Sequence, residues 1–255
     1  MKLNLQGFRL VAVLAAILLP VAGSIRAADK KDQGKAGSSA TVDSGAFGVF
    51  VKGQRVATET FIIEQQGDAS SIKSQLKETT GSDPATQKSI LEINSTGQLI
   101  RYEWSQSSGG SVTVLPKNEF LIEKISAPSA SKPMEQPFLM PNTSVILDNN
   151  FFVHREVLVW RYLAAACKPD GSGGFKCSRE PGDFGALIPQ DHSSLHVRIE
   201  LVGKEKIQVH GADRDMMRLN LKSDDIDWAL WVDEQDHFKL MKVAIPADNT
   251  EVVRD

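Results

Sequence analysis

The chain has 255 residues and a formal net charge of −3, so it carries no overall basic field for a phosphate backbone or an anionic lipid surface. Nucleic acid is not an expected partner. Hydrophobic residues make up 41% and charged residues 24%, values that exclude wholesale disorder and a multi-span membrane protein.

Lys2 and Arg9 precede the apolar run 10–21 (LVAVLAAILLPV), which is followed by the small residues Ala22, Gly23 and Ser24 and by a second small-residue site ending at Ala27. Basic, then apolar, then small is the order of a secretory signal peptide, and residues 1–27 are assigned to one. The run is short for a ~30 Å hydrocarbon core, and Pro20 interrupts it, so no stable membrane span is expected once the leader is cleaved. No cysteine follows before Cys167, which removes the lipid-modified cysteine of a lipoprotein leader. The expected address is export, to a periplasmic or extracellular space. Residues 28–44 (ADKKDQGKAGSSATVDS) offer almost nothing apolar to bury and predict a disordered polar tail. Residues 45–255 then form a single β-rich domain of about 210 residues.

That domain opens with Phe47-Gly48-Val49-Phe50-Val51 and the β-rich run 56–64, which predict a hairpin over Lys52-Gly53-Gln54-Arg55, Gly53 giving the positive φ of the first central position. Strand signals follow at 71–79, 86–93, 98–105, 111–115 and 119–125, with turn residues between them. In 99–104, Ile100, Tyr102 and Trp104 share one face, and Arg101 and Glu103 the other. The Pro/Ser-rich stretch 127–141 predicts a long loop.

A helix is predicted over 149–167, because Phe151, Leu158 and Tyr162 recur near helical spacing and Asp148 or Asn149 is placed to cap the first turn. It is too apolar for a solvated surface helix and is expected against the concave or open face of the sheet. Strands resume at 185–188, 195–201, 206–209, 216–221, 226–232 and 238–245, with turns at Gly203-Lys204, Gly211-Ala212-Asp213, Ser223-Asp224-Asp225 and 233–236. The predicted fold is mainly β: a strongly curved antiparallel sheet or incomplete barrel enclosing one apolar helix.

The two cysteines, Cys167 and Cys177, flank a flexible loop, KPDGSGGFK. In an oxidising compartment they are expected to form a disulfide. A redox pair would want tighter spacing, and a metal site would want more ligands.

Three stretches carry a family likeness: Gly48-Val-Phe-Val-Lys-Gly53, the pair Gly203 and Ile207, and Leu230-Trp-Val-Asp233 through Leu240-Met-Lys-Val-Ala-Ile-Pro246. In these the chain resembles exported bacterial β-proteins of unknown function (DUF3108-like), which are similar in shape to the half-barrels of lipoprotein-localisation factors. The resemblance implies a fold and brings no catalytic signature. The helix and the Cys167–Cys177 loop have no counterpart in it.

No nucleophile-elbow, phosphate-loop or zinc-hydrolase motif occurs, and neither a cofactor nor a metal is expected. Asp183-Phe184-Gly185 matches a kinase tripeptide without any other kinase element. Of the five histidines, His192 and His196 would lie about 13 Å apart along a strand, too far to chelate together. His154, in the first turns of the helix, is a candidate general base, and Asp213 and Asp215 head an acidic group in the turns of the second half. The aromatics Phe151, Phe152, Trp160, Trp228 and Trp231 either line an apolar ligand cavity between helix and sheet or fill the core. Two functions follow as expectations. The first is a soluble envelope protein that binds an apolar or lipid ligand or an envelope partner. The alternative is a secreted hydrolase using His154 or the Asp213/Asp215 cluster.

Overall fold

The computed structural model describes residues 39–79, 85–130, 132–171, 174–224 and 226–255. The predicted signal peptide, residues 1–27, and most of the predicted tail lie outside the described residues. Eight strands come first: β1 (Ala40–Val51), β2 (Gln54–Gln66), β3 (Ala69–Glu78), β4 (Thr86–Asn94), β5 (Leu99–Gln106), β6 (Ser111–Lys117), β7 (Phe120–Ser126) and β8 (Met134–Leu139). The short β9 (Val145–Ile146) leads into the helix α1 (Val153–Ala166), and β10 (Cys167–Pro169) and β11 (Phe175–Cys177) form a small hairpin after it. The second run is β12 (Gly182–Ile188), β13 (Ser193–Val209), β14 (Ala212–Lys222), β15 (Asp227–Asp233), β16 (Lys239–Ile245) and β17 (Thr250–Arg254).

All strands except β10 and β11 belong to one sheet, ordered β8-β7-β6-β5-β4-β3-β2-β1-β17-β16-β15-β14-β13-β12-β9. It curves around α1 without closing into a barrel, as its two ends, β8 and β9, are not paired with each other. The two halves meet at β1 and β17, where Phe47 pairs with Arg254 and Val51 with Thr250. The pattern did not predict β17: five residues, TEVVR, do not show a strand period on their own. Without it the sheet would fall into two pieces.

The alternation that predicts the strands also selects the core. Ala57, Phe61 and Ile63 of β2, Ile72 and Leu76 of β3, and Leu91 of β4 are buried on one face. They join Leu158, Val159 and Leu163 of α1, and Leu219, Leu230 and Val243 of the second half, in one apolar cluster. No helix among the described residues is long and apolar enough to cross a membrane.

Several boundaries differ from expectation for identifiable reasons. β1 starts at Ala40, inside the predicted tail, because Asp43 is buried in an ion pair with Arg254 at 2.6 Å. In the first hairpin Lys52 (φ 50°) and Gly53 (φ 80°) are both left-handed, so Gly53 holds the second central position of a type I′ turn. Ile100 is 41% exposed and Leu99 only 3%, because a bulge at Ile100, opposite Glu92 and Ile93, pairs Ile93 with Leu99 and switches the face. The predicted turn Gly203-Lys204 instead lies inside the long strand β13, paired with Arg218 and Met217 of β14 just past a bulge at Val202. Part of the predicted loop 127–141 is the edge strand β8, where Pro137 tolerates the missing ladder partner.

Cys167 and Cys177 face each other across the β10–β11 register, with their sulfurs at bonding distance, 2.05 Å. The bond ties the C-terminus of α1 to the start of the second run. Reduction, or the double change Cys167→Ser and Cys177→Ser, is expected to lower the unfolding free energy by about 2.5–3 kcal/mol through loop-closure entropy. Urea unfolding with and without reductant measures it, and an unchanged midpoint would contradict the expectation.

Candidate functional site

The site grows from the way α1 begins. Its N-cap residue is Phe152, which has no side-chain oxygen to offer, and neither Asp148 nor Asn149 caps the helix. The acceptor comes from 93 residues earlier in the chain: Glu59 of β2 accepts from Phe152 N (2.6 Å) and Val153 N (3.3 Å). Ser74 Oγ of β3 donates to the same carboxylate at 2.7 Å. A carboxylate at a helix N-terminus satisfies free amides and complements the dipole. Asp148 serves elsewhere, accepting from Asn150 N at 2.8 Å, from Gln190, and from the Tyr102 hydroxyl in a short contact.

This anchoring sets Phe152 against a cleft of about 420 Å³ between α1 and the middle of the sheet. Val49, Val51, Val56, Ala57, Leu76, Trp228 and Ile245 supply the rest of its apolar lining, and Glu78, Gln87, Asn149, Asn150, Asp248 and Thr250 supply polar groups. Gln87 is fixed in place, because its side-chain oxygen accepts from Trp104 Nε1 (3.0 Å) and Asn150 Nδ2 (2.8 Å). The volume lies within the range of small-molecule sites.

Behind the Phe152 and Trp228 rings lies Arg155, buried to 1% exposure. Its guanidinium carbon sits 5.5 Å from the Phe152 ring centre and 4.8 Å from that of Trp228. Nη1 donates to the carbonyl of Phe151 at 2.9 Å and, in a short contact, to that of Asp148. Nε has no hydrogen-bond partner.

The five candidate aromatics therefore separate. Phe152 and Trp228 line the cleft, whereas Phe151 is fully buried in the core. Trp160 donates from Nε1 to Phe238 O at 2.9 Å, and Trp231 packs with Val209, Met216 and Met241 in a separate small cluster.

His154 is fully buried, and neither ring nitrogen has a partner. Tyr102 and Phe151 lie edge-on or tilted to it, with ring centres 5.9 and 6.0 Å away. Asp213 and Asp215 stand exposed at the start of β14, whereas His154 is buried. His192 binds the buried Glu123 of β7 through Nδ1 at 3.0 Å. Gln136 of β8 donates to His192 O at 3.3 Å. These contacts, with those of Gln190, fasten the β12–β13 turn to the first half of the sheet by side chains where no ladder closes it. Among the described residues no group of three or more His, Cys, Asp or Glu is placed to hold a metal.

Sequence reasoning missed Glu59 and Arg155. Glu59 shares its parity with Ala57, Phe61 and Ile63 in β2, so its inward direction was readable. The neighbouring Ile62 blurred the alternation.

No protein-family model and no curated protein matches the chain. Among solved structures, the crystal structure of a β-barrel-like protein of domain of unknown function DUF1849 from Brucella abortus is similar, with a TM-score of 0.47 and 5% identity. The likeness covers 83% of this chain and 94% of that one. It is a likeness to a β-barrel-like domain of unknown function and does not name the DUF3108 group.

Two buried groups give the site a pH signature. Burial pushes the Glu59 carboxyl up from 4.5 to about 7, outweighing Ser74, the two helix amides and Arg155, all of which favour the charged form. Burial, aided by Arg155, pushes His154 down from 6.5 to about 3. Between pH 4.5 and about 7, Glu59 is neutral when folded and ionised when unfolded, so its contribution to stability is lost as pH rises through that window. His154 acts with the opposite sign: its contribution is present above pH 6.5 and is lost as pH falls toward 3. The slopes oppose each other where the windows overlap. Glu59→Gln removes one of them, and its stability relative to wild type should move in the variant's favour by about 3 kcal/mol between about pH 4 and about pH 8. Parallel pH profiles of the urea midpoints for the two proteins would show that Glu59 is not held neutral.

Proposed function

We propose that the chain is an exported envelope protein that binds an apolar, acyl-type molecule in the cleft bounded by Phe152 and Trp228. One observation carries this reading: two of the five aromatics singled out from the sequence meet in one cleft, beside the aliphatic side chains of Val49, Val51, Val56, Ala57, Leu76 and Ile245 and an equal number of polar residues. Apolar walls with placed polar groups are the general form of a small-molecule site. The elements around it are held by buried contacts, the Glu59 cap at the start of α1 and the contacts of Arg254 with β1 and α1, which limits what an occupant loses to reorganisation. The hydrolase alternative has no comparable observation behind it: His154 is buried and outside the cleft lining, and Asp213 and Asp215 are exposed at the start of β14.

A second reading has its own observation. The edge strand β8 bears Met134 and Leu139, 57% and 73% exposed, and a free sheet edge is the site at which an extended partner segment adds a strand. Cross-linking in a native envelope would identify such a partner.

The test of the first reading uses a fluorescent fatty-acid analogue and the protein's own tryptophan emission. Binding should change that emission in wild type and in Trp231→Phe, whose ring lies outside the cleft, and the change should be largely lost in Trp228→Phe. A protein stripped of lipid that shows no saturable binding of the probe would overturn the proposal.

A further inference from the structure

We propose that the cleft's occupant is a chain amphiphile whose polar end is a protonated amine, selected at the mouth by the carboxylates of Glu78 and Asp248 and the side-chain oxygens of Asn149 and Asn150. The inference rests on the binding reading above and adds the chemistry of the ligand's polar end.

The lining is sorted by exposure. Val49, Ala57, Leu76 and Phe152 are buried, with Thr250 as their polar companion. Glu78, Gln87 and Asn150 are half-buried, and Asn149 and Asp248 are exposed. An amphiphile therefore places its chain against the buried wall and leaves its polar end at the mouth, where the charge has one sign. No lysine or arginine among the described residues lines the cleft. Lys52 and Arg55, which separate the lining residues Val51 and Val56 in the first hairpin, stay outside it, and Arg55 pairs with Asp255. Arg155, behind the Phe152 and Trp228 rings, already faces the carboxylates of Asp148 and Glu59. Neither Glu78 nor Asp248 is ion-paired among the described residues, so both charges remain to act on an occupant. A cleft lined by one sign of charge concentrates ions of the other.

The neutral polar groups add an independent preference. Trp104 Nε1 can only donate, so the Gln87 atom it meets at 3.0 Å is the side-chain oxygen. That oxygen meets Asn150 at 2.8 Å, so the Asn150 atom is the amide nitrogen. Asn149 likewise turns its nitrogen to the Asp191 carboxylate, at 2.8 Å. Both asparagines thus give their nitrogens to protein partners and keep their oxygens without a hydrogen bond among the described residues. Together with the two carboxylates these acceptors outweigh the donors left to the cleft, the Gln87 amide and the Thr250 hydroxyl. An ammonium carries donors and no acceptor, and its bonds to carboxylates are charge-assisted. A carboxylate only accepts and would be repelled by Glu78 and Asp248. A neutral alcohol of the same length gains the apolar contacts and little else.

The experiment compares decylammonium, decanol and decanoate by calorimetric titration of the full mature protein, stripped of lipid, at low ionic strength and about pH 8, where an alkylamine is charged. Decylammonium should bind about fivefold more tightly than decanol, the size expected for contacts with partly exposed carboxylates. Decanoate, like the fluorescent fatty-acid analogue above, should still bind through its chain, but less tightly than decanol. The double change Glu78→Gln and Asp248→Asn should bring decylammonium and decanol to within about twofold. Asparagine at 248 keeps an oxygen for Thr250 N, which donates to Asp248 Oδ1 at 3.1 Å, so the local turn is retained. A second double change, Asp213→Asn and Asp215→Asn, removes two exposed acids outside the lining and should leave the ratio as in wild type. Equal affinities in wild type, a preference for decanoate, or a preference for decylammonium that survives the first double change or disappears in the second would each overturn the inference while leaving apolar binding intact. Failure of all three chains to bind would remove the binding reading itself, and this inference with it.

Discussion

The architecture depends on a helix that cannot cap itself. Phe152 begins α1 without a side-chain acceptor, in an interior where a free amide costs on the order of 1–3 kcal/mol. Glu59, reaching in from β2, satisfies two of those amides and fixes the depth and rotation at which α1 enters the sheet. From that placement follow the position of Phe152 on the cleft wall, the burial of Arg155 behind it, and the isolation of His154 among Tyr102 and Phe151. Its own charge is the counterweight: the desolvation that raises the Glu59 pKa outweighs the hydrogen bonds it accepts. One carboxyl group thus supports the helix and carries a pH-dependent cost.

A second buried network joins the two halves of the sheet. Arg254, in the last strand, pairs with Asp43 of β1 at 2.6 Å and with Glu156 of α1 at 3.2 Å. Its guanidinium also lies over the rings of Phe61 and Phe47. First strand, helix and last strand therefore share one cation. Buried pairs of this kind add little to net stability but are costly to break singly, so their physical role here is to fix which elements meet. The cleft sits beside this junction, lined from β1, β2, β3, β15 and β16, and owes its shape to contacts far apart in sequence.

Much of the fold was legible because its signal is local. Alternation in segments such as Leu195 to Leu201 reports a half-buried strand whatever the strand pairs with, and the apolar excess of 151–163 reports a sheltered helix. The misreadings occurred where local rules compete with pairing. Gly203 reads as a turn residue, yet β14 pairs with it and continues past it, and the irregularity is a bulge at Val202. Ile100 reads as core, yet it is the extra residue of a bulge in its own strand β5, opposite Glu92 and Ile93, and turns outward. For the site, the aromatic residues were legible as a set, but nothing in the chain's order separates Phe152 and Trp228, which share a cleft, from Trp160 and Trp231, which do not.

What the sequence alone determined was the class of the protein: strands of period two, one sheltered helix, and two cysteines close enough to face each other, all set by interactions within a few residues. The tertiary structure alone decided which polar groups are buried and what they meet. Glu59 and Phe152, 93 residues apart, and Arg254 and Asp43, 211 apart, are adjacent only because one sheet wraps the helix. The energy of a buried charge depends on the whole shell around it, and no stretch of sequence contains that shell.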